Sequence, residues 1–600
     1  MEFSKLVRIY EQIESTTKRL QMTDYLVELF QDTPPDIIGK VVYLTQGGLY
    51  PGFVGIELGV AERLTIKAIA MATGIDEDDL NKSLIERGDV GEVAFEAVKR
   101  KKQTSLFTQP LSVERVYESL NRIATSSGAR SQDLKLKLIA DIIHDSTPVE
   151  AKYIARFLTG KLRLGIADMT LLDALALTFG KGKRGAEEDE TLRDEFKKDR
   201  DIVERTYNIY PDMGRIASIL NKDGIRGIKK IKLASGIPVR SMLAERLPSI
   251  QEIFEKLNNA CSVEYKYDGL RVQAHVSKEK ILLFSRNLEN TTEQFPDVQE
   301  ALRTAFTGRE CILDGECVPI NPNTNELLPF QQISHRRGRK YEMTGAIGEY
   351  PVVLFLFDCL YADGESLLDM KYLERRKKLK EVIKETDSIR ISESLLAKNV
   401  NDLERFFERA IGDGCEGIIA KSIADDSTYR AGARGWQWIK YKRDYKSEMT
   451  DTVDLVVVGA FAGQGKRTGT YGALLMASYD SEGGEFETVS KLGTGFDDKT
   501  LAGMTEMFKE CKIEKRHSSV KSEMEPDYWF RPKHVMEVRG AEITLSPIHT
   551  CAYGRIKEGA GLAIRFPRFT GKWRNDKTPE DATTTREIME MYRHQLKKVG

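Results

Sequence analysis

Lys266 stands in Glu264-Tyr265-Lys266-Tyr267-Asp268-Gly269-Leu270-Arg271, a K-x-D-G-x-R frame inside a run that otherwise reads as a strand. A lysine amine is protonated and unreactive near neutral pH. A site that uses one as a nucleophile must lower its pKa with neighbouring positive charge or desolvation. Candidate charges follow downstream: Arg286 in Ser285-Arg286-Asn287, then Lys440 and Lys442 in Trp438-Ile439-Lys440-Tyr441-Lys442. Lys440 and Lys442 are two apart, so on a strand both face the same way. Such a pair can neutralise charge developing on a phosphorus under attack, the preorganised electrostatic role that phosphoryl transfer needs.

Carboxylates accompany the lysine. Glu264 precedes it by two residues and shares its strand face. Glu316 ends Leu313-Asp314-Gly315-Glu316, and Glu416 opens Glu416-Gly417-Ile418-Ile419-Ala420-Lys421. Phe355 and Phe357 alternate in Val-Val-Leu-Phe-Leu-Phe-Asp, and Arg434 precedes the lysine pair.

These groups need elements to hold them. From residue 1 to about 232 the pattern is helical, with apolar residues three and four apart, as in Leu20, Tyr25, Leu26, Leu29 and in Leu134, Leu138, Ile142. A charged run from Lys181 to Arg205 reads as a solvated loop leading into a helix. Near residue 234 the texture changes to short β-rich runs: Val263–Tyr267, Arg271–Val276, Ile281–Ser285, Cys311–Val318 and Val352–Leu360. The second and third of these predict a hairpin, and helices are expected over Tyr372–Thr386 and Val400–Gly412. After Asp444 come short strands with glycine-rich turns: Val453–Gly459, Ala473–Tyr479, Glu485–Leu492, His534–Val538 and Glu542–Ser546. They predict a small Greek-key barrel of the OB type. The expected architecture is therefore multi-domain: all-α over 1–233, α+β over 234–445 and an all-β OB-fold barrel over 446–600.

The 600 residues carry 41% hydrophobic and 30% charged residues, which suits globular domains with real cores. Net charge is −1, so any polyanion-binding surface must arise from local clustering. The N-terminal residues lack the apolar run of a secretory signal, and apolar runs such as Val352 to Phe357 are too short to span a bilayer. The seven cysteines form no C-x-x-C pair, which argues against a zinc site or disulfide framework and predicts a reducing cytoplasm.

Taken together, in this order and spacing, the motifs resemble the ATP-dependent DNA ligases of the archaeal and eukaryotic replicative type, over nearly the whole chain. The resemblance implies nick sealing in duplex DNA, used in replication, repair and recombination, in three steps. Lysine takes AMP from ATP, AMP passes to a 5′-phosphate, and the 3′-hydroxyl displaces AMP. It implies that Lys266 carries the AMP and that Glu264 contributes to adenine recognition. Arg271 would approach the nucleotide, Arg286 would bind ribose or phosphate oxygens, and Phe357 would stack on adenine. Glu316 would contact the ribose and, with Glu416, hold the metal, Mg²⁺ or Mn²⁺. Arg434, Lys440 and Lys442 would complete the pocket.

In the last domain Arg565-Phe566-Pro567-Arg568-Phe569 and Arg574-Asn575-Asp576-Lys577 resemble the motif that orients pyrophosphate, although Thr570-Gly571-Lys572-Trp573 looks one residue longer than the family pattern. Ser126-Ser127-Gly128-Ala129-Arg130, with Lys135 and Lys137, and Thr159-Gly160-Lys161-Leu162-Arg163-Leu164-Gly165 resemble phosphate-gripping segments of the ligase DNA-binding domain. Gln103-Thr104-Ser105-Leu106-Phe107 resembles a shortened sliding-clamp motif, and a core-closing role for Leu106 and Phe107 stands beside that reading. A monomer is expected. A capping guanylyltransferase or RNA ligase shares the lysine chemistry but does not predict the long helical N-terminal region. A non-catalytic nucleic-acid-binding protein does not need the intact lysine, carboxylate and basic motifs. An NAD-dependent ligase would carry a zinc-type cysteine cluster. ATP against ADP or GTP stays open at this level, as does Mg²⁺ against Mn²⁺.

Overall fold

The computed structural model describes the chain outside residues 102–109, 129–130, 183–189, 321–326, 329, 331–332, 334–350, 443–451, 464–468, 541, 566 and 598–600. It falls into two compact units. One comprises Met1–Glu77 with Ala94–Lys442, and the other Asp78–Val93 with Arg443–Gly600. Among the described residues, no helix is long and apolar enough to cross a membrane.

The first two hundred or so residues of the chain are helical, as their periodicity predicts. Helix Val113–Thr125 shows why. Ser112 caps it by accepting from the Arg115 N–H, and Val113, Val116, Tyr117, Leu120 and Ile123 form one buried stripe. Helix Pro148–Leu158 starts at a Thr147/Glu150 capping box with proline in its first turn, and it is buried on all sides. Its Lys152 and Arg156 are neutralised by Glu14, at 3.2 and 2.9 Å. Leu20 and Leu134 fit the apolar spacing but are exposed, at 62% and 45%. In helix Arg19–Asp32 the buried stripe is Thr23, Leu26, Leu29 and Phe30, and Leu20 lies in the first turn before it.

Two sheets build the α+β region. The first orders its strands Leu243–Arg246, Arg434–Lys442, Gly417–Ser422, Cys261–Lys266, Ser394–Ala397. The second runs Ile281–Ser285, Leu270–Ser277, Glu310–Pro319, Val352–Ala362, Glu365–Ser366, with Ile389–Ile391 parallel to Val352–Ala362. The predicted hairpin is present, with Val276 opposite Ile281 and Val272 opposite Ser285. The expected helix from Tyr372 stops at Val382, four residues early, because Ile383 turns extended and bridges Phe306.

Strand Leu270–Ser277 has two unlike faces, the consequence of its period of two. Val272, Ala274 and Val276 enter the apolar core with Leu283, Leu313 and Leu354. Arg271, Gln273 and His275 face the other way and grip the backbone of the linker that follows the helices. The Gly236 N–H donates to His275 Nδ1 at 2.9 Å, and the Val239 N–H donates to Gln273 Oε1 at 2.7 Å. Gln273 Nε2 returns a bond to Val239 O at 3.0 Å, and Arg271 Nη1 donates to Met242 O at 2.7 Å. This covering explains why Gln273 and His275 are buried polar residues.

Because His275 Nδ1 accepts, its proton sits on Nε2, facing Gln273 Oε1 at 3.0 Å. Burial pushes its pKa down to about 3. An unfolded histidine titrates near 6.5, so between those values the unfolded chain binds a proton that the folded chain lacks. Stability is therefore lost as pH falls. From pH 7 to pH 5 the parent should lose about 2 kcal/mol more than His275→Gln, at about 1.4 kcal/mol per pH unit below 6.5. Urea unfolding of both proteins at the two pH values measures this, and equal losses would rule out a buried neutral imidazole.

The second unit is β-rich, with strands Val453–Ala462, Tyr471–Asp480, Glu485–Leu492 and Val535–Arg539 central to an eight-stranded sheet. Glu542–Ser546 pairs with Gly561–Arg565 in a small second sheet, and the larger one curls as a half-barrel around Leu455, Met476, Phe508 and Phe530. Strand Arg568–Trp573 carries a bulge where it pairs with Val535–Arg539. Met536 faces Trp573 while Val538 faces Phe569, and Gly571 takes φ +93° inside it. All seven cysteines are buried, and none is joined in a disulfide. Burial raises the thiols of Cys261, Cys359, Cys415 and Cys551 to about 12.

Candidate active site

Three neighbouring strands bring the nucleophile candidate to its partners. Gly417 pairs with Lys266 on one side and with Lys442 on the other. Glu416, one residue earlier, donates its N–H to Lys266 O at 2.8 Å. Its carboxylate touches the Lys266 ammonium and lies 2.8 Å from Lys442 Nζ. Close backbone approach requires glycine here: a Cβ on Gly417 would meet Tyr441 O at 2.2 Å, and one on Gly269 would meet Cys317 O at 2.4 Å.

Lys440 lies opposite Ile419, which lies opposite Glu264. Its pKa is lowered first by burial, then by Lys442, Lys266, Arg434 and Arg286. The structure thus gathers Lys266, Arg286, Arg434, Lys440 and Lys442, five of the six predicted cations, into one field. Arg286 and Asn287 also line a cavity of about 500 Å³ together with Tyr50, Phe53 and Arg240.

The carboxylates differ in environment. Burial raises Glu316 to about 7, against the opposing pull of Lys266 and Arg271. Glu416 is lowered, since Lys266 and Lys442 outweigh its burial. Asp268 is raised by burial and by Glu416, and its Oδ2 accepts from the Phe330 N–H at 3.1 Å. Among the described residues, no group of three or more His, Cys, Asp or Glu is set to hold a metal by itself.

Glu264 is almost fully buried. Oε1 takes bonds from Tyr372 and from Arg376 at 2.9 Å, and Oε2 pairs with Lys421 at 2.8 Å. Lys421 Nζ in turn lies 4.8 Å from the Phe357 ring centre and 4.4 Å from that of Trp438. Phe357 meets Trp438 edge to face at 6.0 Å, whereas Phe355 stacks on Tyr267 at 4.1 Å. Arg271 forks onto Asp314 at 3.0 and 2.6 Å and also bonds Met242 O and Tyr429. Those bonds use four of its five N–H groups.

Sequence reading missed Lys421, Tyr372, Arg376, Asp314 and Tyr429 as parts of the site. One signal was available: Tyr372 and Arg376 are four apart on a helix and so share a face. The same helix supplies Arg375, whose Nε and Nη2 reach Asp358 at 2.8 and 2.9 Å with both side chains 0% exposed.

Other candidates have partners of their own. Lys161 pairs with Glu62 at 2.9 Å. Gly160, Arg163 and Gly165 take positive φ in the turn after helix Pro148–Leu158. In the second unit, Asp454 holds both Arg574, through Nη1, and Lys577, at 2.8 Å. Ala129, Arg130, Phe566 and the Gln103–Phe107 segment lie outside the described residues.

Three family models match the chain: the DNA ligase N terminus over residues 2–176, the ATP dependent DNA ligase domain over 241–442 and the ATP dependent DNA ligase C terminal region over 467–577. "DNA ligase 2" of Korarchaeum cryptofilum is 51% identical, covering 100% of this chain and 98% of the relative. The DNA ligase of Staphylothermus marinus is 48% identical over 100% of both. The solved structure named Pmar-Lig_PreS3 is 17% identical with a TM-score of 0.52, over 95% of this chain and 99% of that one, a likeness of fold. The capping-enzyme and RNA-ligase alternatives are not favoured by these relatives. Three family models along the chain and identity near one half over its whole length place it in the family of ATP-dependent DNA ligases of archaeal type.

Proposed function

We propose that Lys266 Nζ attacks the α-phosphorus of ATP, forming a P–N bond while the P–O bond to pyrophosphate breaks. AMP then passes to the 5′-phosphate of a nick, and the 3′-hydroxyl displaces it to seal the strand. The observation that carries this is the row Lys266, Gly417, Lys442 across three adjacent strands, with the Glu416 carboxylate between the two lysine ammonium groups. Glu416 sits against the Lys266 ammonium, where it can accept the amine proton before attack. Lys440 and Lys442 face the phosphate and stabilise charge on it as the transition state forms.

Arg286 and Arg434 add phosphate and ribose contacts. Glu264, fixed by its three partners, faces adenine, and Phe357 stacks on it. Arg271, with one N–H left, reaches the nucleotide chiefly through the residues it holds in place. Glu316 and Glu416 would hold Mg²⁺, or Mn²⁺ in its stead. Two carboxylates fit such an ion only once phosphate oxygens complete the set, which is how Mg²⁺ is commonly bound. The ion would supply further charge neutralisation at the phosphate.

Residues 1–233 form the DNA-binding part, 234–445 the adenylation part and 446–600 the OB-fold part, whose Arg574 and Lys577 orient pyrophosphate. The protein acts as a cytoplasmic monomer in replication, repair and recombination. Incubation with α-labelled nucleotides, a denaturing gel and peptide mapping test the central claim. The label should come from ATP and map to the Lys266 peptide, and label on any other residue would sink it.

Gln103–Phe107 docks on a sliding clamp, the apolar pair filling a pocket and Gln103 bonding beside it. Phe107→Ala should keep its melting temperature and basal sealing but lose clamp stimulation. Lost stability, or unchanged clamp binding, would assign the pair to the core instead.

A further inference from the structure

Tyr429 lies in the loop before strand Arg434–Lys442 and is buried. Its hydroxyl donates to Asp314 Oδ2 at 2.8 Å. It accepts the Met242 N–H at 3.0 Å and an Arg271 Nη2–H at 3.2 Å. One donor and two acceptors are all that a phenol offers, so the group is saturated. Burial and Asp314 keep its pKa well above the usual value, so it remains a donor. Met242 has both backbone groups held, its N–H by Tyr429 and its carbonyl by Arg271. Asp314 is fully buried and lies two residues before Glu316 on one strand, hence on the same face. Glu316 stands opposite Arg271 in the neighbouring strand.

We propose that Tyr429 is a positioning residue for nucleotidyl transfer: its hydroxyl locks the Arg271–Asp314 pair against the linker and so sets where Glu316 is held. The inference rests on the reading of Lys266 as nucleophile and of Glu316 as a carboxylate at the reacting phosphate. Tyr429 itself need touch no substrate. Without the hydroxyl, the Met242 N–H loses its acceptor and Asp314 loses a donor inside a low-dielectric site. The forked pair then settles elsewhere, and small misplacements of reacting groups are costly in rate.

The test is single-turnover self-adenylylation of the full chain with α-labelled ATP, with rates normalised to the folded fraction. Tyr429→Phe should be roughly tenfold slower at saturating ATP, with half-saturation changed less than about twofold, as expected when geometry and not binding is disturbed. Gln273→Met unhooks the linker at Val239; Gln273 stands opposite Asp314 in the sheet, but the side-chain bonds of Asp314 from Arg271 and Tyr429 remain, and the rate should stay within about twofold of the parent on the same argument. A Tyr429→Phe rate equal to the parent overturns the inference. So does an equal slowing in Gln273→Met, which would assign the effect to linker docking, or a Phe variant too unstable to purify, which would assign the hydroxyl to the fold. Lys266→Ala run alongside separates the two readings. If it still labels, the nucleophile assignment fails; if only Tyr429→Phe behaves as parent, the positioning role alone fails.

Discussion

Lys266→Ala should take no label from α-labelled ATP and should seal no nick when ATP is the source of AMP. The same variant should still seal a nick whose 5′ end is already adenylylated. The reasoning is chemical. The first transfer needs an amine as nucleophile, and alanine supplies none. The last step needs only the 3′-hydroxyl as nucleophile and the cations around the phosphate, and Arg286, Arg434, Lys440 and Lys442 remain. Removing Lys266 also frees Glu416 from one of its two ammonium partners, while Lys442 still pairs with it at 2.8 Å. The carboxylate therefore keeps a counter-charge, and the fold should survive. Normal labelling of the variant would refute the assignment outright. Loss of sealing on the pre-adenylylated nick as well would extend the role of Lys266 beyond the first transfer.

The largest stability effect is expected at Arg375. Both members of the Arg375–Asp358 pair are wholly buried, and the guanidinium also bonds Met370 O at 2.7 Å and Ser427 O at 3.0 Å. Arg375→Met strands a buried carboxylate, which costs about 3–5 kcal/mol when one partner of such a pair is removed. Adding Asp358→Leu should recover most of that loss, because burying two apolar side chains avoids the desolvation of two ions. Urea unfolding midpoints of the single and double variants decide the matter. A single variant within about 0.5 kcal/mol of the parent, the usual range of an uninvolved surface change, would show that the pair contributes little.

The strand that carries Lys266, the hairpin after it and the basic strand were legible because each rests on short-range pattern. Period-two alternation marks the strands, and Asp-Gly marks the turn after Lys266. The cations around Lys440 were legible too, since residues two apart on a strand share a face. What could not be read was the partnership of distant backbone and side chain. The linker over 236–242 has no periodicity, yet three alternate side chains of one strand bind its peptide groups. Such contacts are long-range, and nothing local in Gly236 or Val239 announces them. Glu264 was read as facing a base, while its buried partners Tyr372, Arg376 and Lys421 come from a helix and a strand more than one hundred residues away. Leu20 and Leu134 show the converse limit, because periodicity marks a face but not where a neighbour stops covering it. The bulge at Gly571 shows only in the pairing across the sheet.

The buried cysteines have a practical consequence. A thiol raised to about 12 holds on the order of one thiolate in 10⁵ at neutral pH, and the thiolate is the species that reacts. Those four thiols are therefore close to silent towards maleimide and iodoacetamide dyes, and Cys311, Cys317 and Cys511 are buried as well. A cysteine introduced at an exposed position would be the dominant reactive handle. Fluorophores or spin labels could thus be placed at chosen exposed positions of the otherwise unmodified enzyme.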